Sequence, residues 1–150
     1  MRKIIIIFIA IILLMVTACQ QTKKNEVYTD IETIQHYFEN FSGIERVYWI
    51  TGDRGEDLRL LPSIDYWVKG FAFISEEATS ELEKDYVWDS SSFEETEEVK
   101  NIRNEILELK LDNQWSTNVD FTEDTLPKSF SGQILIDFEN RLMFYELYST

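Results

Sequence analysis

Asp65-Tyr66-Trp67-Val68-Lys69-Gly70-Phe71-Ala72-Phe73-Ile74 is the stretch on which the fold turns. It holds aromatic and β-branched residues and no proline, the composition of a strand. A period of two puts Trp67, Lys69, Phe71 and Phe73 on one face and Tyr66, Val68, Gly70, Ala72 and Ile74 on the other. One face must be core, and the other still carries rings. Gly70 marks either a bulge or a place where another group comes close to the backbone. Just upstream, Ile44-Glu-Arg-Val-Tyr-Trp-Ile-Thr51 has the same character and runs into Gly52-Asp53-Arg54-Gly55, a strong turn signal. The two segments are expected to pair, with Leu58 to Pro62 as the connection.

Working outward, Thr29 and Glu32 have the spacing of a capping box, and Ile31, Ile34, Phe38 and Phe41 recur every three or four residues. A helix over 30–41 is predicted, stopped by Gly43. On the other side, Ser75-Glu76-Glu77 places a cap and two acids where a helix N-terminus favours them, predicting a short helix over 76–85. Asp89 to Ser92 reads as a loop. Ser92 and Glu95 suggest a further capping box, and Val99, Ile102, Ile106 and Leu109 predict a second long helix ending near Leu109. Residues 112–129 show no clean period and read as loop. Phe130–Phe138 and Leu142–Tyr148, joined by Glu139-Asn140, predict a terminal hairpin.

The expected order is α-β-β-α-α-β-β. This is an α+β fold, with about four mostly antiparallel strands packed against two longer helices and one short helix on one face. Residues 29–150 make a single globular domain.

The 150-residue chain has 14 Lys+Arg, 28 Asp+Glu, one His, one Cys and 44% hydrophobic residues, giving a net charge of −14. Nucleic-acid binders gain affinity by placing cations on phosphates, so this balance argues against such a partner. One Cys excludes an internal disulfide, and one Cys with one His excludes the usual zinc sets.

The N-terminus has a separate logic. Arg2 and Lys3 precede Ile4 to Val16, an uninterrupted apolar run of 13 residues. As a helix it reaches about 20 Å, short of the roughly 30 Å hydrocarbon core. That is the length of a signal-peptide apolar region. It ends in Val16-Thr17-Ala18-Cys19. The sequence resembles the lipobox of bacterial lipoproteins: an aliphatic residue, two small residues and Cys, with Val16 where Leu is commonest. The resemblance covers about the first 20 residues. It implies cleavage between Ala18 and Cys19, a diacylglyceryl thioether on Cys19, and an acylated mature N-terminus that holds the protein on a membrane without a spanning helix. Residues 1–18 are then a removed signal peptide and 19–28 a lipidated polar tether. The Ile-rich leader and Lys/Glu/Asn-rich body suggest a Gram-positive source, placing the protein on the outer face of the cytoplasmic membrane. The mature chain carries 12 basic and 28 acidic residues, a net charge of −16.

Motifs for chemistry are sparse. Residues 76–98 hold ten acids and one lysine, but without the spacing of a calcium loop, so a solvated acidic face is expected. Asp53, Glu56 and Asp57 are the weak candidates for a metal, set in a segment whose Asp and Gly also suit a turn. His36 sits among apolar helix positions, and no nucleophile elbow, phosphate loop or zinc-protease motif is present. No cofactor is expected. The aromatics are the more suggestive set: Trp49, Trp67, Phe71 and Phe73 are the candidate binding residues, because exposed rings anchor protein partners and glycans. The expected function is a non-enzymatic, lipid-anchored module that binds another envelope protein. The alternative is a lipoprotein for a small ligand or divalent cation, with a carboxylate-dependent hydrolase third.

Overall fold

The computed structural model describes residues 26–53, 66–106 and 114–150. Among them the chain runs through α1 (Ile31–Gln35), β1 (Ile44–Asp53), β2 (Tyr66–Ile74), α2 (Glu76–Asp85) and β3 (Asp89–Ser91). It continues through α3 (Glu97–Glu105), β4 (Trp115–Thr117), α4 (Val119–Thr125), β5 (Phe130–Asp137) and β6 (Leu142–Ser149). The strands form one antiparallel sheet in the order β1-β2-β6-β5-β4-β3. The α+β class matches the expectation. The count does not: six strands and four helices are described where about four and three are predicted.

The additional elements are short ones in segments that lack a period. β3 and β4 are three residues each and pair with one another, continuing the sheet beyond β5. Helix α4 begins where the Asn118 side chain accepts a 2.6 Å hydrogen bond from the Phe121 amide, and it buries Phe121 and Thr125. Seven residues are too few for a helical period to stand out in sequence.

Helix boundaries shift for local reasons. The cap of α1 is Asp30 rather than Thr29, its carboxylate accepting from the Thr33 amide at 3.0 Å. The helix ends at Gln35, and the chain reaches Phe41 through tight i-to-i+3 turns. The Gln35 amide donates to the carbonyls of Phe38 and Phe41 and holds those turns. Ile34, Phe38 and Phe41 are all buried, so the apolar spacing is used although the helix does not continue. Gly43 follows at φ +102°, a conformation that suits glycine, and its carbonyl accepts the Ser75 amide at 2.8 Å. Ser75 caps α2 as expected, whereas α3 starts after Thr96 instead of Ser92.

The alternation along β2 decides the layers. Val68, Ala72 and Ile74 join Val47, Ile134, Ile136 and Met143 beneath Ile34 and Phe38 of the α1 segment, Ala78 and Leu82 of α2, and Phe121 of α4. Phe71 joins Ile50, Leu135, Leu142 and Phe144 on the opposite face, beneath Val99, Ile102 and Ile106 of α3. Helices therefore cover both faces, correcting the one-sided arrangement. The physical reason is that β2 and β6 are apolar on both sides, and each face must be taken out of water at about 25 cal/mol per Å².

Gly70 is a close-approach site. A Cβ there would lie 2.5 Å from the Tyr145 hydroxyl oxygen and 2.6 Å from the Tyr48 carbonyl oxygen. Tyr145 is fully buried, its ring edge-on to Phe38, and its hydroxyl has no hydrogen-bond partner among the described residues. Burial pushes this phenol well above the ordinary tyrosine range. Since an unsatisfied buried hydroxyl carries a desolvation cost, Tyr145→Phe is expected to stabilise the fold by about 1 kcal/mol. A urea unfolding curve reads this directly, and a loss of stability would reveal a partner for the hydroxyl.

The chain enters the domain along the outer edge of β1. Val27 packs against the α3-side core, while Tyr28 and Trp49 exchange backbone hydrogen bonds of 2.7 and 2.9 Å with their rings 4.7 Å apart. Among the described residues, Val27 is the first that packs.

Candidate functional site

Lys69 is the one charged residue among the rings on its face of β2, and the register explains how it is accommodated. It lies directly across from Glu146 on β6, and Glu146 lies across from Gln133 on β5. One polar row therefore crosses three strands within an apolar face. Lys69 Nζ is 2.9 Å from Glu146 Oε1, with the two side chains 13% and 17% exposed. Gln133 Nε2 donates to Glu146 Oε2 at 3.0 Å, and the Tyr148 hydroxyl donates to Oε1. Lys69 Nζ also lies 5.1 Å from the Trp67 ring, within cation–π range.

This row floors a cleft of about 280 Å³ walled by Ser92, Phe93, Glu94, Thr96 and Phe144. Thr96 is there because it caps α3, and Phe93 because its ring stacks among Phe71, Trp115 and Phe144. Burial opposes ionisation of Glu146, but hydrogen bonds from Tyr148, Lys69 and Gln133 outweigh it and hold the carboxyl below the ordinary glutamate range. Glu98 is also lowered, chiefly by the Thr96 side chain, with Lys69 adding to the effect and Glu146 opposing it. The oxygens of this carboxylate are already engaged by the Lys69, Gln133 and Tyr148 donors. The row suits polar recognition better than proton transfer.

These two carboxyls set a pH dependence. Their folded pKa values lie below the unfolded value of about 4.3, so the unfolded chain binds more protons in acid. Their stabilisation is complete above about pH 4.3 and is lost as pH falls through the lower folded values. The denaturation midpoint should therefore fall in acid, and less steeply in Glu146→Gln. An identical acid profile in that variant would place the effect on other carboxylates.

The predicted binding residues do not form one surface. Trp49 is 7% exposed and lies on the α1 side of the sheet, whereas Trp67, Phe71 and Phe73 lie on the α3 side. Phe71 is fully buried. Trp67 is half-buried, packed over Gly52, and Phe73 is half-buried under the Arg46 guanidinium, 4.2 Å from its ring centre. The backbone of Asp53 closes β1 opposite Tyr66, while Glu56, Asp57, Ala18 and Cys19 lie outside the described residues. His36 is exposed at the C-terminus of α1. Most acids of 76–98 face solvent, and among the described residues no three His, Cys, Asp or Glu side chains gather as a metal site. Among them, too, no helix is long and apolar enough to cross a membrane.

Sequence reasoning did not single out Glu146, Gln133 and Tyr148. Their signal is a charged residue inside the apolar alternation Leu142, Phe144, Glu146, Tyr148, matching Lys69 in β2. Only the β2–β6 register brings the two charges together. No protein-family model, curated protein or solved structure matches the chain.

Proposed function

We propose that the chain is a lipoprotein of the bacterial cell envelope, acylated at Cys19 and held on the outer face of the cytoplasmic membrane, whose folded part is a non-enzymatic module that binds another envelope protein. The observation that carries the reading is Val16-Thr17-Ala18-Cys19 at the end of a 13-residue apolar run, with Val27, the first described residue that packs, eight positions after Cys19. The intervening seven residues extend at most about 25 Å, a short leash between an acyl anchor and a domain. The large acidic excess supports protein rather than nucleic-acid partners.

The test is in-cell crosslinking of the tagged chain beside Cys19→Ala, with detergent-phase partitioning of both. The wild type should partition with detergent and yield one envelope protein, and Cys19→Ala should move to the aqueous phase or remain unprocessed. Unchanged partitioning overturns the anchor; a crosslink profile free of envelope proteins overturns the binding role. A second reading, a small polar ligand, is favoured by the cleft over Lys69 and Glu146. Calorimetry against amino sugars and amino acids tests it, and an absence of heat at millimolar concentration removes it.

A further inference from the structure

The sheet has an opening part-way along β5. Strand β4 pairs with β5 only through Ser116 and Thr117, opposite Ile136 and Leu135, before Asn118 turns the chain into α4. The Ile134 carbonyl accepts from the Thr117 hydroxyl, and the Phe130 amide donates to the Pro127 carbonyl, so the even-numbered residues of β5 direct their backbone groups to the β4 side. Gly132 lies midway between these two contacts. Its N–H and C=O thus point along an edge to which no described strand is paired, and Ser131, Gly132 and Gln133 are all exposed. Beside that edge is a groove of about 520 Å³, roofed by α4 through Val119, Thr122 and Leu126, with Phe130 and Pro127 at one end and Thr117 at the other. Val119 is 68% exposed, an apolar side chain that α4 presents to solvent.

We propose that this groove takes an extended segment of the partner polypeptide as an added strand beside β5, in line with β4. The inference rests on the envelope-binding reading above and names how the partner is held. A polypeptide backbone supplies the donor and acceptor that no described strand offers Gly132, and every second side chain of the added strand turns under α4 toward Val119 and Leu126. The window between Thr117 and Pro127 admits about four residues at 3.4 Å each. Glu123 and Lys128 line the groove, and Asp120 is exposed beside it on α4, so acids outnumber bases there two to one and the fitting segment alternates apolar residues with basic ones. A second copy fits less well. Antiparallel pairing about Gly132 would bring Pro127 to Ser129 of one copy against β4 of the other, because β4 already occupies the β5 edge from Leu135 onward.

The probe is the peptide acetyl-Arg-Val-Thr-Val-Lys-Val-amide, titrated against the full chain in phosphatidylcholine nanodiscs, whose neutral lipid does not attract it. The control is the same peptide N-methylated at its central valine, equal in charge but lacking one backbone donor. The wild-type chain should bind the first peptide saturably and the second at least tenfold more weakly, with hydrogen-exchange protection appearing over 130–134. Val119→Lys changes an exposed position, leaves the fold intact, and should weaken binding at least tenfold. Equal binding of both peptides, no binding at 1 mM, or protection elsewhere overturns the proposal. A peptide-sensitive dimer in nanodiscs loaded at one or two copies overturns it in favour of a second copy. The anchor is judged separately: peptide binding with Cys19→Ala still in the detergent phase would refute the lipoprotein reading and leave the groove standing.

Discussion

Gly70→Ala is expected to destabilise the domain by at least 3 kcal/mol, an overpacking effect at the upper end of what one methyl group usually causes. The added Cβ meets two obstacles of different kinds. The Tyr145 hydroxyl belongs to a side chain that can be shortened, whereas the Tyr48 carbonyl belongs to β1 and moves only if the β1–β2 ladder opens. Placing Gly70→Ala in a Tyr145→Phe background should therefore restore part of the loss and no more. Urea unfolding of the four chains of this cycle yields the coupling between the two positions. Full restoration would show that the Tyr48 carbonyl and the ring carbon Cζ of residue 145, 2.7 Å from the added Cβ, both give way, and no restoration would place the whole cost in those two contacts. If the single variant fails to fold, the double variant still gives a measurable curve.

Lys69→Met is expected to cost about 2–4 kcal/mol, because it leaves an ionised carboxylate in a largely buried row without its cation. Tyr148 and Gln133 still donate to Glu146, which keeps the loss below that of a wholly stripped charge. Lys69→Met with Glu146→Leu removes both charges and should be more stable than Lys69→Met alone. The deficit of the single variant should also shrink in acid, since a protonated Glu146 needs no counter-ion; a deficit that persists unchanged through the acid range below about pH 4, where Glu146 takes up its proton, would assign it to lost packing of the lysine stem over Trp67.

Legibility followed the length scale of the signal. The β2 alternation predicts which residues face each way, and the two cores divide along it. The Ser75 cap fixes α2 to the residue because serine, two acids and a helical run fall in immediate succession. Segments below two turns or four strand residues, such as β3, β4 and α4, carry too few side chains for any period to appear. Their presence depends on the sheet they complete. The polar row was half visible: Lys69 stands out among the rings of its strand, but the identity of its partner is a matter of strand order. β6 lies between β2 and β5, a placement local sequence does not encode. What covers the rings of β2 was not legible, because burying Phe71 depends on α3 packing on the face opposite the other helices, a placement no local pattern encodes.

The landing of Tyr28 on Trp49 has a consequence for crowding. A long edge strand is a template for sheet polymerisation, and the hazard grows when copies are confined to two dimensions at high surface density. Tyr28 takes the outward-pointing backbone pair at Trp49, near the middle of β1, and divides this edge, to which no described strand pairs, into two short pieces. The Ile44/Arg46 bulge and the Arg46 charge blunt one of these pieces further. Tyr28 is therefore a stopper: on the proposed lipoprotein reading, the residue next to the start of the packed domain would also keep neighbouring copies from zipping together along β1.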